Sequence, residues 1–315
     1  MTEALQPAIA IQALTKTFPG VIAVNSLSLD VYPGEIFGLV GPDGAGKTTT
    51  LRMLAGIMRP DAGSAIVAGC DITRDPERAK HALSYMPQRF GLYEDLTVDE
   101  NIRFYADLFG VRQSERESRS AQLLRAAGMS EFRKRMAGKL SGGMKQKLGL
   151  VCALIHRPRV ILLDEPTTGV DPVSRRDFWR ILYELLAEGV TILTTTAYLD
   201  EAERCHRVAL MHQGRLLFSG APADLERGFS KQVLSVTSAK PRSLRAALDG
   251  AEGISSLMLY GDGVRLVIDD ARRRIPEYEA RLKRDHLTYD SMQQVAPTIE
   301  DLFVDAVAGG ASHHG

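Results

Sequence analysis

Apolar and polar positions recur with two different periods along the chain, and the switches between them mark out its elements. Ile9 to Phe18 and Val21 to Val31 read as two strands joined by the Pro19-Gly20 turn. Ile36-Phe37-Gly38-Leu39-Val40 is apolar throughout and too short for a helix, the pattern of a strand buried on both faces. A glycine-rich loop follows, then a helical pattern from Thr48 to about Ile57. Residues 97–137 read as helical: Thr97 with Glu100 makes a capping box ahead of Ile102, Tyr105 and Leu108. A second helix runs from Ser114 to about Ala127, closed by Gly128. Val160 to Leu163 is another buried-strand run, and Val173 to Ala187 a helix with Gly189 at its end. Val190 to Leu193 reads as a strand, with a short helix near Tyr198 to Arg204. Val208 to Met211 and Arg215 to Phe218 flank Gln213-Gly214 as a hairpin.

The pattern changes at Pro222. Residues 232–236 read as a strand, 241–249 as a helix, and 254–260 with 264–268 as a hairpin about Gly261-Asp262-Gly263. Residues 275–284 read as a helix and 287–292 as a strand. That order, βαββαβ, is the split-βαβ pattern. The expected division is therefore a large domain over 1–225, a small α+β accessory domain over 229–307, and a flexible tail over 308–315. His313 and His314 in that tail read as part of a disordered end rather than a metal site.

Composition narrows the class. The 315 residues are 44% apolar and 25% charged, ordinary globular values that allow a full core without disulfides. Lys+Arg and Asp+Glu are equal at 39 each, so no overall basic field invites nucleic acid. Cys70, Cys152 and Cys205 are scattered and odd in number, which is neither a disulfide framework nor a CxxC metal site; a reducing compartment fits. Glu3 stands near the start, and no basic stretch precedes an apolar block, so no signal peptide is expected. No window approaches the roughly 18 apolar residues of a membrane span, so any membrane part is expected from another chain.

Three motifs carry chemistry. Gly41-Pro42-Asp43-Gly44-Ala45-Gly46-Lys47-Thr48 fits GxxxxGK[ST] at every required position, with a buried strand before it and a helix after it. Glycines at 41, 44 and 46 let successive backbone N–H groups face phosphates, and the helix start adds positive potential. Lys47 is placed to reach the β- and γ-phosphates, with Thr48 on Mg²⁺. Asp43 is an unexpected carboxylate beside a phosphate. Val160 to Leu163 leads into Asp164-Glu165, an apolar strand ending in two carboxylates: Asp164 for Mg²⁺, Glu165 to orient or deprotonate the attacking water. Leu140-Ser141-Gly142-Gly143-Met144-Lys145-Gln146 precedes a helical pattern through Ile155. Ser141, Gly142 and Gly143 make a second anion grip at a helix start, without a second lysine-bearing loop. Such a grip suits a nucleotide held by another subunit.

In this order and company the motifs resemble those of the ATP-binding proteins of ABC transporters, over residues 9–222. The resemblance implies an α/β fold: a P-loop NTPase core with an antiparallel β subdomain and a helical subdomain, plus the small α+β C-terminal domain. It implies ATP and Mg²⁺ as cofactors. Gln88 in Met86-Pro87-Gln88 matches the Q-loop glutamine, implied to sense the γ-phosphate and the membrane partner and to serve as a Mg²⁺ ligand. Leu140 to Gln146 matches the signature, with Lys147 where arginine is more usual. Gly169-Val170-Asp171-Pro172 matches the D-loop, which places Asp171 against the opposing subunit, and Phe18 matches the ring stacked on adenine. Thr49 follows Thr48 in the phosphate-binding set. The implied catalytic group is Glu165, Gln88 and Lys47.

The stretch Phe90 to Asn101 is similar to ABC-2-type exporters, drug and antibiotic efflux ATPases among them, and Pro297 to Phe303 resembles the end of their small C-terminal domain. That resemblance implies efflux of drugs or other hydrophobic or cationic compounds. It also implies an ABC-2-type permease received near residues 90–110, a second ATPase subunit, and a place on the cytoplasmic face of the membrane. One departure stands out. In Thr194-Thr195-Thr196-Ala197-Tyr198-Leu199-Asp200-Glu201-Ala202-Glu203, Ala197 occupies the place of the family's switch histidine. Alanine cannot hydrogen-bond a γ-phosphate, so the chain's own site is expected to be slow unless Thr196 or Tyr198 compensates. The pattern resembles the first half of exporters with two unequal ATPase modules; a homodimer and a nucleotide-binding regulatory subunit are the rival arrangements. His156, His206 and His212 read as structural. A soluble ABC protein acting on nucleic acid is disfavoured, because the chain lacks a second module, long coiled coils and zinc-binding cysteines.

Overall fold

The computed structural model describes residues 6–311, and the chain divides into two compact units, residues up to Ser219 and from Gly220 onward. The first unit opens with β1 (Ile9–Phe18) and β2 (Val21–Val31), which pair antiparallel about the Pro19-Gly20 turn. β3 (Ile36–Val40) follows, every residue buried, and then α1 (Lys47–Leu54). The expected helix to Ile57 ends earlier, with Gly56 at φ +69°. β4 (Ala62–Val67) and β5 (Cys70–Asp71) complete a four-stranded antiparallel sheet of order β2-β1-β4-β5. α2 (Pro76–Lys80) and β6 (Leu83–Met86) come next. Sequence reading passed over these elements because they are short and rich in small or polar residues.

α3 (Val98–Leu108) starts at the expected capping box: the Thr97 hydroxyl accepts from Glu100 N while Glu100 Oε2 accepts from Thr97 N. α4 (Gln113–Ala126) ends before Gly128, at φ +65°. α5 (Gly142–Leu154) packs against both and forms the helical subdomain with them. β7 (Val160–Asp164), α6 (Pro172–Ala187), β8 (Thr191–Thr196), the single turn α7 (Leu199–Ala202), β9 (Arg207–His212) and β10 (Arg215–Gly220) finish the unit. Gln213 and Gly214 both take positive φ, as the tight turn between β9 and β10 requires. The six-stranded sheet runs β10-β9-β3-β8-β7-β6, with β9, β3, β8, β7 and β6 parallel to one another. α1, α5 and α6 cover it, which is why β3 and β7 are apolar throughout. β8 extends beyond the expected Leu193 through Thr194, Thr195 and Thr196, all buried. β-branched threonine suits a strand, and the hydroxyls have partners at the site described below.

In the second unit α8 (Pro222–Gly228) is followed by β11 (Gln232–Thr237), α9 (Pro241–Leu248), β12 (Ile254–Tyr260), β13 (Gly263–Ile268), α10 (Ala271–Arg284), β14 (Ser291–Val295) and α11 (Ile299–Ala311). The sheet order β12-β13-β11-β14, antiparallel throughout, is that of a split βαβ. Leu244, Leu248, Tyr278 and Leu282 of α9 and α10 close one apolar core with Leu234, Val236, Val264, Leu266 and Ile268. α11 lies against β12 and β13, and Arg265 of β13 meets Asp301 of α11. β13 is therefore buried at every position. Three expected boundaries are corrected. The units part before residue 225, because α8 packs on α11; α10 begins at Ala271 rather than 275; and β14 covers 291–295 rather than 287–292. The expected tail from 308 is helical to Ala311, while His313 and His314 lie outside the described residues.

Candidate nucleotide site

The loop between β3 and α1 turns tightly at glycines that nothing else replaces. A Cβ on Gly41 would stand 2.3 Å from Met211 O, and one on Gly46 (φ +103°) 2.2 Å from Ala23 O. Gly44 adopts φ +79°. Lys47, the first residue of α1, is 4% exposed, and its Nζ donates to Gly41 O at 2.7 Å and Pro42 O at 3.1 Å. It also lies 3.0 Å from Glu165 Oε1. In front of this loop is a cleft of about 460 Å³ lined by Phe18, Val21, Ala23, Asp43 to Thr49, Gln88 and Glu165. Phe18 is 39% exposed at the edge of β1, and Asp43 is exposed to the cleft.

Asp164 ends β7 almost out of solvent and accepts three hydroxyl hydrogen bonds: Thr48 Oγ1 at 2.9 Å, Thr195 Oγ1 at 3.0 Å and Tyr85 OH at 3.1 Å. Burial, with the neighbouring Asp164 charge, pushes the Tyr85 phenol up to about 12, so it remains a donor at neutral pH. Glu165 takes φ +46°, a left-handed conformation costly for a residue with a side chain. Its amide donates to Thr195 Oγ1 at 2.8 Å, and its Oε2 accepts from Gln88 Nε2 at 3.2 Å and Thr168 Oγ1 at 3.3 Å. Tyr85, Thr168 and Thr195 were not singled out from sequence. The three threonines closing β8 were the available signal for Thr195; a lone tyrosine in a four-residue strand offers none.

The remaining candidates stand elsewhere. Ser141, Gly142, Gly143 and Asp171 do not line the cleft. Ser141 caps α5, its Oγ accepting from Met144 N at 3.3 Å. Gly142 faces open space, whereas a Cβ on Gly143 would lie 2.5 Å from both Cβ and Oγ of Ser174. Asp171 caps α6 by accepting from Val173 N and Ser174 N, and the Ser174 amide holds its carboxyl below the usual range. Gly143 and Asp171 thus both approach Ser174, at the start of α6. Ala197 follows β8 directly and is exposed, while Tyr198 beside it lies under the Arg175 guanidinium at 4.7 Å. His156 stacks on Phe109 at 3.9 Å with Nε2 3.2 Å from Leu83 O, and burial lowers its pKa. Nδ1 of His206 accepts from Ile36 N at 3.2 Å. All three cysteines are buried.

A second hollow, about 230 Å³, is mostly apolar and lies among Ile57, Tyr85, Phe90, Tyr105, Phe109 and Ala153. Ile57 is 61% exposed at its rim. Among the described residues no helix is long and apolar enough to cross a membrane, and no group of three or more His, Cys, Asp or Glu could hold a metal.

A parallel sheet carrying a phosphate loop after β3, two carboxylates at the end of β7, and a separate helix-start grip define the class of P-loop ATPase cassettes. The family model described as ABC transporter matches residues 24–168. The chain is 44% identical, over 96% of its length, to the probable multidrug ABC transporter ATP-binding protein YbhF of Escherichia coli, but spans only 53% of that relative. It is 42% identical to the Nod factor export ATP-binding protein I of Burkholderia thailandensis, covering 86% of this chain and 88% of the relative. The daunorubicin/doxorubicin resistance ATP-binding protein DrrA of Streptomyces peucetius is 35% identical, covering 95% and 92%. A solved ATP-binding subunit of an ABC transporter superposes with a TM-score of 0.64 at 31% identity, over 70% of this chain and 92% of the other. The chain belongs to the ABC transporter ATP-binding proteins, a family whose cassette binds ATP.

Proposed function

We propose that this chain hydrolyses ATP to drive an exporter whose membrane permease is a separate polypeptide. The observation that carries this reading is the split of the site. Lys47, Thr48, Gln88 and Glu165 converge on one cleft, while Ser141 and Gly142 offer a second phosphate grip outside it. One chain then supplies half of each of two sites, and ATP is sandwiched when two cassettes meet, with Asp171 at the contact. Phe18 stacks on the base, the loop from Gly41 to Thr49 wraps the phosphates, and Lys47 leaves Glu165 to bind them. Glu165, released from Lys47 and steered by Gln88 and Thr168, orients and deprotonates the attacking water.

Thr48, Asp164 and Gln88 bring hard oxygen donors together, which suits Mg²⁺. With no cluster of acidic or histidine ligands among the described residues, the ion would depend on phosphate oxygens as well. When bound, Mg²⁺ neutralises charge developing on the phosphates. Asp164, already held by Thr195 and Tyr85, would keep Thr48 aimed at it.

The relatives' names favour outward transport of drugs or other hydrophobic compounds. The apolar hollow at Ile57, Phe90 and Tyr105 would take an apolar side chain from a helix of an ABC-2-type permease, which would hold the chain at the cytoplasmic face of the membrane. Ala197 favours a second reading, in which this chain's site is weakened and is paired with a more active second ATPase. The test is ATP turnover by the purified chain against Glu165→Gln, alone and with a co-purified permease. Turnover above that variant supports a self-sufficient pair; turnover equal to it, with ATP still bound, supports the second reading.

A further inference from the structure

Glu201 is 1% exposed, yet it belongs to no motif that contacts nucleotide. Burying a carboxylate is costly unless its lone pairs are met. Here Oε1 accepts from Thr167 Oγ1 at 2.6 Å and Oε2 from Thr196 Oγ1 at 2.9 Å. A cation, Arg175, stands beside it: its Nε lies 3.6 Å from Oε1 and has no hydrogen-bond partner of its own. The same guanidinium pairs with Asp200 and covers the Tyr198 ring.

What the carboxylate joins is informative. Thr167 sits between Glu165 and Asp171, in a segment that turns twice, with Thr168 N bonded to Glu165 O and Val170 N to Thr167 O. That segment starts at the strained Glu165 backbone and includes Gly169 at φ +73°. Thr196 closes β8; its carbonyl accepts from Gly41 N at 3.3 Å and its hydroxyl from Tyr198 N at 2.9 Å. One buried side chain therefore ties the loop carrying Glu165 to the strand end behind the phosphate loop and to the Ala197 turn.

We propose that Glu201 is a positioning residue: through Thr167 and Thr196 it holds the Glu165–Asp171 segment and the Thr196–Tyr198 turn in one fixed arrangement. This rests on the reading of Glu165 as the residue that activates water. Where no imidazole stands at 197, the clamp adds to the Tyr198 N–Thr196 Oγ1 bond in holding that turn. Thr196 Oγ1 accepts from Tyr198 N and gives its own proton to Glu201 Oε2, while Thr167 Oγ1 donates to Oε1. Removing one hydroxyl cuts the link without changing side-chain volume.

The experiment compares Thr167→Val, Thr167→Ser and Glu201→Gln in the full chain by two readouts. Hydrogen–deuterium exchange, followed on peptides covering 165–171 and 196–201, needs no turnover. Thr167→Val is expected to speed exchange in both segments, and Thr167→Ser to leave both as in the native chain. ATP turnover is expected to fall roughly 10-fold or more in kcat for Thr167→Val, with KM within about twofold, since misplacing a reacting group costs rate rather than binding. Glu201→Gln should fall between the two. Unchanged exchange in Thr167→Val, or equal loss in Thr167→Ser, overturns the clamp. If native turnover does not exceed that of Glu165→Gln, the hydrolysis reading fails by itself, and the exchange readout still decides the clamp.

Discussion

Lys47 Nζ lies 3.0 Å from Glu165 Oε1, so the two groups proposed to bind phosphate and to activate water hold each other. Both groups are largely buried, and neither is free for its task until the other is released. On the proposed function, an incoming triphosphate takes over Lys47 and frees Glu165, which would couple substrate arrival to readiness of the base. Glu165→Gln is expected to remove that competition. ATP affinity should rise severalfold while turnover falls by about 10²–10³, the scale of losing one transition-state contact. Lys47→Ala should lose nucleotide binding itself. Fluorescent-nucleotide titration and phosphate release distinguish the two, and weaker ATP binding by Glu165→Gln would contradict the competition.

Phe18 stands at the cleft edge with its ring exposed, the position of a stacking platform. Replacement by alanine should weaken ATP binding by about tenfold, the worth of one base–aromatic stack, with kcat little changed. A change in kcat with affinity intact would contradict the stacking role.

Gly143 packs against Ser174 so closely that any side chain must displace the start of α6. Gly143→Ala is expected to leave ATP binding to the chain's own cleft intact, because Gly143 does not line it, and to abolish most turnover. Equilibrium binding together with steady-state hydrolysis checks this; parallel loss of both would mean that the two grips are not separable.

Ala197 is open to solvent at the end of β8, where a longer side chain has room. Ala197→His should raise turnover by at least about tenfold if the missing imidazole limits the rate. No gain at saturating ATP would mean that the site is limited elsewhere.

Arg265 forks onto Asp301, which is fully buried, with Nε and one Nη donating at 2.9 and 2.6 Å. Removing one member of a buried pair strands the other, so Arg265→Ala should destabilise the second unit by about 3 kcal/mol. Asp301→Ala should cost more, because Asp301 also accepts from Thr298 N and Oγ1 at the start of α11. Thermal unfolding of the full chain reads the difference, and the KM for ATP should not move.

Much of the architecture was legible because local chemistry carried it. β1, β2 and β3 fall at their expected residues, since each is a long apolar or alternating run bounded by turn residues. The Thr97–Glu100 box opens α3 as read. The same kind of signal lay unread in Thr298-Ile299-Glu300-Asp301, which caps α11. β4, β5 and β6 were missed because their stability comes from neighbours in the sheet rather than from their own pattern.

By itself the sequence determined the phosphate loop, the carboxylate pair, the signature and their order, because each depends on residue type at fixed short spacing. Only the tertiary structure decided which of them meet. It brings Lys47 to Glu165 and Thr48 to Asp164 while leaving Ser141 to Gly143 outside the cleft. It also decided the work of the buried polar groups. Thr195 serves two acidic residues at once, and Glu201 joins two segments far apart along the chain. A hydroxyl or carboxylate shows its partner only when the fold has removed water from both, and that removal is a property of packing, not of spacing.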